Sequence, residues 1–381
     1  MRKHIKYIGF YDSSINETEN RMFALAATNK MDYIISVLNY LDYEVLIVSP
    51  SRTKNKKYYG GKILNLGNNV RLKLFPTLPW GTKVSKLFSV IFTDLLLFFY
   101  LLSNVRKDEE IIVYHSVEFK NILRLAKKIK KFNMILEVEE IYQDINKYNS
   151  FLTKEEFLTI DCADKYVFSN ELLNNRVNKK NKQKIVSYGT YNIQHDRNVS
   201  FEDEKIHVVY SGTFDMKKKG ALLAIEAAEF LSEEYHIHII GFGTKVETDF
   251  IIENINKVSI KSKAKITYDG LLIGEEYIKF LQKCHIGLST QVPEGIYNET
   301  SFPSKILSYM SNGLEVVSIE TQAIKLFDSK NLIHFFKKAD PKEVSEKIQK
   351  VNIHKSSKYN KELIIELDKE FKESFKLLLG D

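Results

Sequence analysis

The chain has 381 residues, a net charge of +7 and two cysteines, Cys162 and Cys284. With 44% apolar and 28% charged residues it is not a disordered chain, and at roughly 100–200 residues per domain it has material for two. Two cysteines in different halves exclude a disulfide framework and a cysteine-based metal site, and they fit a reducing, cytoplasmic compartment.

The N-terminus enters a strand-like run directly and lacks the apolar core of a secretory leader. The sequons at Asn16 and Asn298 are therefore read as chance matches. Residues 5–11 and 44–48 read as the first two strands, and 22–41 carries apolar residues at helical spacing between them. Strand 70–75 follows. The most apolar stretch, 87–102, is broken by Thr93 and Asp94 and falls short of the ~20 residues that span a bilayer. A buried helix and an interfacial helix lying on a membrane both stay open for it.

Strands at 111–114, 134–138, 166–168 and 185–188 complete the first series, with a helix at 120–131. Its Lys127, Lys128, Lys130 and Lys131 follow Arg124. They form either a solvated face or a patch for acidic head groups, nucleic acid or pyrophosphate. No Cys/His finger or aromatic RNP-type strand accompanies them, so nucleic acid is not an expected partner.

Residues 190–205 are polar and without apolar periodicity, which places the linker there. A second series of strands then runs 206–210, 236–240, 264–268, 286–289, 315–319 and 332–335. Helices are expected at 221–231, 250–257, 275–283, 305–311 and 341–351, and an amphipathic one at 361–379. The fold class is α/β: two Rossmann-like doubly wound domains, 1–195 and 196–355, facing across a cleft. The terminal segment 356–381 packs back toward the first. Open α/β sheets bind ligands at the carboxyl ends of their strands.

Four segments of the second domain carry chemistry. After its first strand come Gly212 and Thr213, then Lys219-Gly220 before a helix. A glycine lets backbone approach an anion, a helix start offers amides, and a lysine adds charge. Gly241-Phe-Gly243 ends the next strand but lacks the third glycine and acid of a dinucleotide fingerprint, which disfavours a dehydrogenase. Gly270-Leu271 ends the third strand, where backbone groups could pair with a base edge. The fourth runs from Pro293 to Val317. It holds Glu294, Asn298, Thr300 and Phe302 in a polar loop, then Pro303, Ser304 and Lys305 in the first turn of a helix that includes Ser308 and stops at Gly313.

In this order and spacing, these segments resemble the donor-binding domain of the family 4 (retaining) GT-B glycosyltransferases. The resemblance covers about 205–336 well and the first domain loosely. It implies that Gly212 and Lys219-Gly220 contact a donor diphosphate, that Gly241 and Gly243 form the Gly-x-Gly turn, and that Gly270-Leu271 meets the base. Two departures stand out. Thr213 replaces the usual arginine, and Thr300 and Ser308 occupy the positions of the usual glutamate pair. The string Phe-Pro-Ser-Lys-Ile-Leu-Ser-Tyr-Met looks like a bacterial polysaccharide subgroup in which Lys305 takes over the arginine's charge, with Glu294 or Glu299 as substitute acids. In the first domain, His115 resembles the strand-end histidine beside the donor sugar, although strand-end histidines are also structural. Of the carboxylates Glu137, Glu139 and Glu140, Glu139 is the expected acceptor-facing group, against a plain surface acid cluster. The polar run 12–20 with Arg21 stands where relatives carry a glycine-rich loop and could shape the acceptor pocket.

The resemblance implies a metal-independent, retaining, hexosyltransferase-type enzyme with no cofactor. It would move sugar from a nucleotide sugar, first of all a UDP-sugar, to a glycan or lipid-linked acceptor, in the cytoplasm and peripherally at the membrane through the basic face. Catalysis would fall to Glu139, His115 and Lys305. Two alternatives stay open: a non-catalytic GT-B partner that binds acceptor, and a GT-B sugar-nucleotide epimerase.

Overall fold

A computed structural model of the chain describes residues 2–67, 69–142, 150–216, 219–291, 301–353 and 357–380. The chain forms two compact units: Met1–Tyr188 with Phe371–Asp381, and Gly189–Glu370.

In the first unit the strands are β1 (Lys3–Ile8), β2 (Tyr43–Ser49), β3 (Lys62–Gly67), β4 (Val70–Leu74), β5 (Glu110–Tyr114), β6 (Asn133–Val138), β7 (Lys165–Phe168) and β8 (Lys184–Val186). Their order is β3-β4-β2-β1-β5-β6-β7-β8, parallel except for β3 against β4. The central strands are continuous apolar runs because both faces are covered. Ile8, Val113, Leu136 and Phe168 join one core with Leu97, Tyr100 and Leu101 of helix Lys83–Asn104. The strand order reverses between β1 and β5, so the switch point lies where Gly9 and His115 follow them.

The second unit carries β9 (Ile206–Thr213), β10 (Tyr235–Phe242), β11 (Lys265–Gly270), β12 (Ile286–Ser289), β13 (Glu315–Ile319) and β14 (Ile333–Phe336). They run in the order β11-β10-β9-β12-β13-β14 and are all parallel. This is the doubly wound dinucleotide-fold order, with its switch point between β9 and β12. Val208, Ile237, Ile239, Leu288 and Val317 share its core with Ala224 and Ile225 of helix Gly220–Ala227.

Several expectations are corrected. The division falls at Tyr188, not 195, because the following segment bonds to the second unit: Arg197 N donates to Gln282 Oε1 at 3.0 Å, and Lys361 pairs with Asp196. The terminal helix Ser357–Leu378 begins in the second unit, where Asn360 Nδ2 donates to Leu314 O at 2.8 Å. Its last turns belong to the first unit, where Phe371 meets Tyr33 at 5.7 Å and Lys165 donates to Leu378 O at 2.5 Å. Helix Lys83–Asn104 has 22 residues, longer than its apolar stretch, because Thr82 caps it by accepting from Ser85 N at 3.2 Å. By length and composition it is long enough to cross a membrane. β9 and β10 run past their expected ends, so Gly212 and Gly241 are paired strand residues and not turn residues.

Candidate functional site

At the carboxyl end of β9, four expected residues come together. Gly241 is paired with Gly212 across the sheet, and a Cβ on Gly241 would come within 1.8 Å of Gly212 O. Only a glycine lets these backbones approach so closely. A Cβ on Gly212 would lie 2.9 Å from Lys305 Nζ, and that ammonium stands over the Tyr210 ring at 3.9 Å from its centroid. Gly220 closes the group from the other side, since a Cβ there would meet Tyr210 Oη at 2.8 Å. So Gly212, Gly220 and Lys305 surround Tyr210 at the switch point, with Gly241 packed against Gly212. Thr213 is exposed at the strand's end.

Lys219 takes the left-handed conformation (φ 48°) as the N-terminal cap of helix Gly220–Ala227. Thr290 Oγ1 donates to Gly220 O at 2.6 Å, fixing that helix start beside the end of β12. Gly243 precedes helix Lys245–Ser259, whose Thr244 and Glu247 form a capping box. Gly270 ends β11 with φ 79°, and Leu271 after it is half exposed.

The helix expected at 305–311 is Lys305–Ser311, with Ser304 as its cap residue and Pro303 O accepting from Ile306 N at 3.0 Å, so Pro303 and Ser304 stand just before its first turn. Phe302 packs against Phe327 at 5.0 Å. Ser308 donates to Tyr277 Oη at 3.2 Å, and Ser211 Oγ lies 3.1 Å from Tyr277 Oη and 3.0 Å from Tyr309 Oη. Burial holds both phenols above their ordinary range, so they stay protonated. Where the resemblance expects a glutamate, Ser308 therefore anchors a hydroxyl chain. Glu294, Asn298, Glu299 and Thr300 lie outside the described residues.

The first unit gathers charge at the carboxyl end of β6. Glu137 is buried and accepts from Tyr7 Oη across β5. Burial pushes its carboxyl up to about 8, with Lys30 opposing and Glu139 adding. Lys30, on helix Leu25–Tyr40, is also buried. Its Nζ donates to Ser187 O at 2.9 Å and Ser187 Oγ at 2.8 Å, and lies 3.3 Å from Glu139 Oε1. Glu139 follows the strand in a bend and is a quarter exposed. Sequence reasoning singled out Glu139 but missed Lys30 and Tyr7. A lysine amid apolar helix positions 31, 34 and 35 was the available signal for Lys30.

His115 is buried, its Nε2 3.6 Å from Glu156 Oε1 and its ring 5.4 Å from Tyr142. Burial drives its pKa down to about 4, so the imidazole is neutral. Arg21 does not line a pocket. It is buried, donates to Ser51 O at 2.7 Å and Phe75 O at 2.9 Å, and pairs with Glu19 at 2.6 Å. It ties loops together.

Residues 205–352 match the glycosyl transferases group 1 family. No curated protein matches the chain in sequence. Solved structures match along its whole length. The trehalose-6-phosphate protein of E. coli bound with UDP-2-fluoro glucose is 12% identical with a TM-score of 0.70, covering 98% of both chains. HepE of Anabaena in complex with UDP and glucose is 10% identical with a TM-score of 0.64, covering 98% of this chain and 100% of its own. A glycosyltransferase from Rickettsia africae is 11% identical with a TM-score of 0.62, covering 100% and 99%. At such identities the likeness is one of fold, the GT-B arrangement of two parallel-sheet domains.

Proposed function

We propose that the chain transfers a hexosyl unit from a nucleotide diphosphate sugar, first of all a UDP-sugar, to a hydroxyl of a glycan or lipid-linked saccharide. The transfer retains anomeric configuration and uses no bound metal. The reading rests on the match of 205–352 to group 1 glycosyl transferases and on neighbours of like fold whose structures hold UDP or a UDP-sugar. One observation carries it: Lys305 stands beside Gly212 over the Tyr210 ring at the switch point, with Gly241 against Gly212 and the helix start at Gly220 against Tyr210.

In this reading the Lys305 ammonium, Lys219 and the backbone at Gly220 neutralise the departing diphosphate. Fixed charge of this kind is commonly the largest contribution to such catalysis. Glu139 positions or deprotonates the acceptor hydroxyl from the first unit. His115, neutral, acts by shape and hydrogen bonding and not by charge.

The test is calorimetry with UDP, GDP and ADP, followed by turnover of the preferred UDP-sugar. Lys305→Ala is expected to lower kcat by roughly 10²–10³ while leaving the thermal midpoint nearly unchanged. Wild-type turnover in that variant, or equal indifference to all three nucleotides, sinks the assignment.

The face of helix Lys83–Asn104 supports a membrane-surface setting. Val84, Leu87, Phe88, Ile91, Leu95 and Phe99 form an exposed stripe at helical spacing. Helix Lys120–Lys130 packs beside it and adds exposed Leu125 and Ile129 with its lysines. Apolar stripes bordered by lysine suit the interface of an anionic bilayer. This fits a lipid-linked acceptor presented at the cytoplasmic face of a bacterial membrane.

A further inference from the structure

On the face of the second sheet opposite Val208, Tyr210, Ile237 and Ile239, three buried histidines come together: His207 of β9 with His236 and His238 of β10. Their outward nitrogens are committed. His207 Nε2 lies 2.7 Å from Asp203 Oδ1, and His238 Nδ1 lies 3.1 Å from Asp269 Oδ2. A carboxylate only accepts, so both nitrogens carry the proton. Thr267 donates its hydroxyl to Asp269 Oδ2 at 2.8 Å, and its oxygen then accepts from His236 Nε2 at 2.9 Å.

Each ring is left with its other nitrogen to engage a partner within the cluster. Two of these nitrogens face each other, His207 Nδ1 and His238 Nε2 at 2.9 Å, with roles set by the tautomer. The third, His236 Nδ1, is buried without a hydrogen-bond partner. The three residues offer ring nitrogens within 4.8 Å of one another. That contact is held by one shared proton or by a cation between the rings, and the orphaned His236 Nδ1 beside it favours the cation.

We propose that His207, His236 and His238 bind one divalent d-block cation of the zinc type. Imidazole ligands select such ions over magnesium or calcium, which take oxygen. Bonds of about 2.0–2.1 Å in a tetrahedral site set ligand nitrogens roughly 3.3 Å apart, a small widening of the present gap. Asp203 and Asp269 complete carboxylate–histidine–metal relays that orient the rings, and their two negative charges match the ion's two positive ones.

The cation is structural. His207 is the second residue of β9, whereas Gly212 stands at that strand's other end, so the ion takes no part in sugar transfer. It would clamp helix Gly274–Leu281. That helix sets Phe280 edge-on to His238 at 5.1 Å and sends Tyr277 to Ser211 and Ser308.

The test uses the full chain, stripped with chelator and desalted, then titrated with Co²⁺ and followed by the visible absorption of the tetrahedral ion. One equivalent is expected to bind, to be displaced by Zn²⁺ and to raise the thermal midpoint. Asp269→Asn is expected to weaken binding roughly 10–100-fold, and His236→Gln to remove the tetrahedral spectrum. Circular dichroism verifies folding of each variant. Lack of the tetrahedral spectrum in folded wild-type protein overturns the proposal, as does a spectrum unchanged in folded His236→Gln. So does ¹⁵N NMR showing an imidazolium proton between His207 and His238 that Zn²⁺ fails to displace.

Discussion

Gly241 and Glu137 are the two residues on which the architecture presses hardest. A methyl group on Gly241 has no direction to yield, because what it meets is the carbonyl of Gly212 and not a side chain. Gly241→Ala is expected to cost roughly 3 kcal/mol or more, read as a fall in the urea midpoint. Glu137 predicts a pH dependence. Its carboxyl is raised to about 8 from a usual value of 4.5, mainly by burial. Folding therefore takes up a proton between those values, so stability is full below 4.5 and declines as pH rises through 8. Glu137→Gln should remove that decline, measured as urea midpoints across the range. His115, pushed down to about 4, has the opposite sign and loses stability as pH falls below 6.5, so the Glu137 effect is cleanest between about 6.5 and 8. At this scale the sequence was only partly readable. The carboxylates at 137, 139 and 140 stood out as too many to bury. The partners that decide their fates, Tyr7 and Lys30, lie more than a hundred residues away and leave no local pattern.

The elements were far more legible, because parallel strands buried on both faces are unbroken apolar runs. β12 and β13 coincide with their expected bounds. β3 was missed. It is an edge strand whose residues alternate between half-buried and exposed, and it is defined by its antiparallel pairing to β4, which no strand-length apolar run announces. Helix Lys83–Asn104 carries a prediction of its own. Ile91→Glu with Leu95→Glu places charge in the exposed stripe and leaves the buried Leu97 and Leu101 untouched. The double variant is expected to keep its far-ultraviolet spectrum and to lose sedimentation with vesicles containing phosphatidylglycerol. Undiminished sedimentation would remove the stripe from the membrane reading.

For the molecule as a whole, two units with separate cores invite separate unfolding. Calorimetry is expected to resolve two transitions. UDP at a hundred times its dissociation constant adds ~2.7 kcal/mol to the unit that binds it, a rise of about 5–10 °C for a unit of this size. Only one transition should move, and Lys305→Ala should shrink the shift. Equal displacement of both would mean that the nucleotide is not held by the second unit alone.

The bare contact between Gly212 and Gly241 also has a consequence for lineage. Most positions in a fold can drift, since a neighbouring change can make room for a new side chain. Here the obstacle is a main-chain oxygen, present whatever residue is encoded, and no second-site change can remove it. In this fold Gly241 is therefore a fixed point from which β9 and β10 can be counted into register.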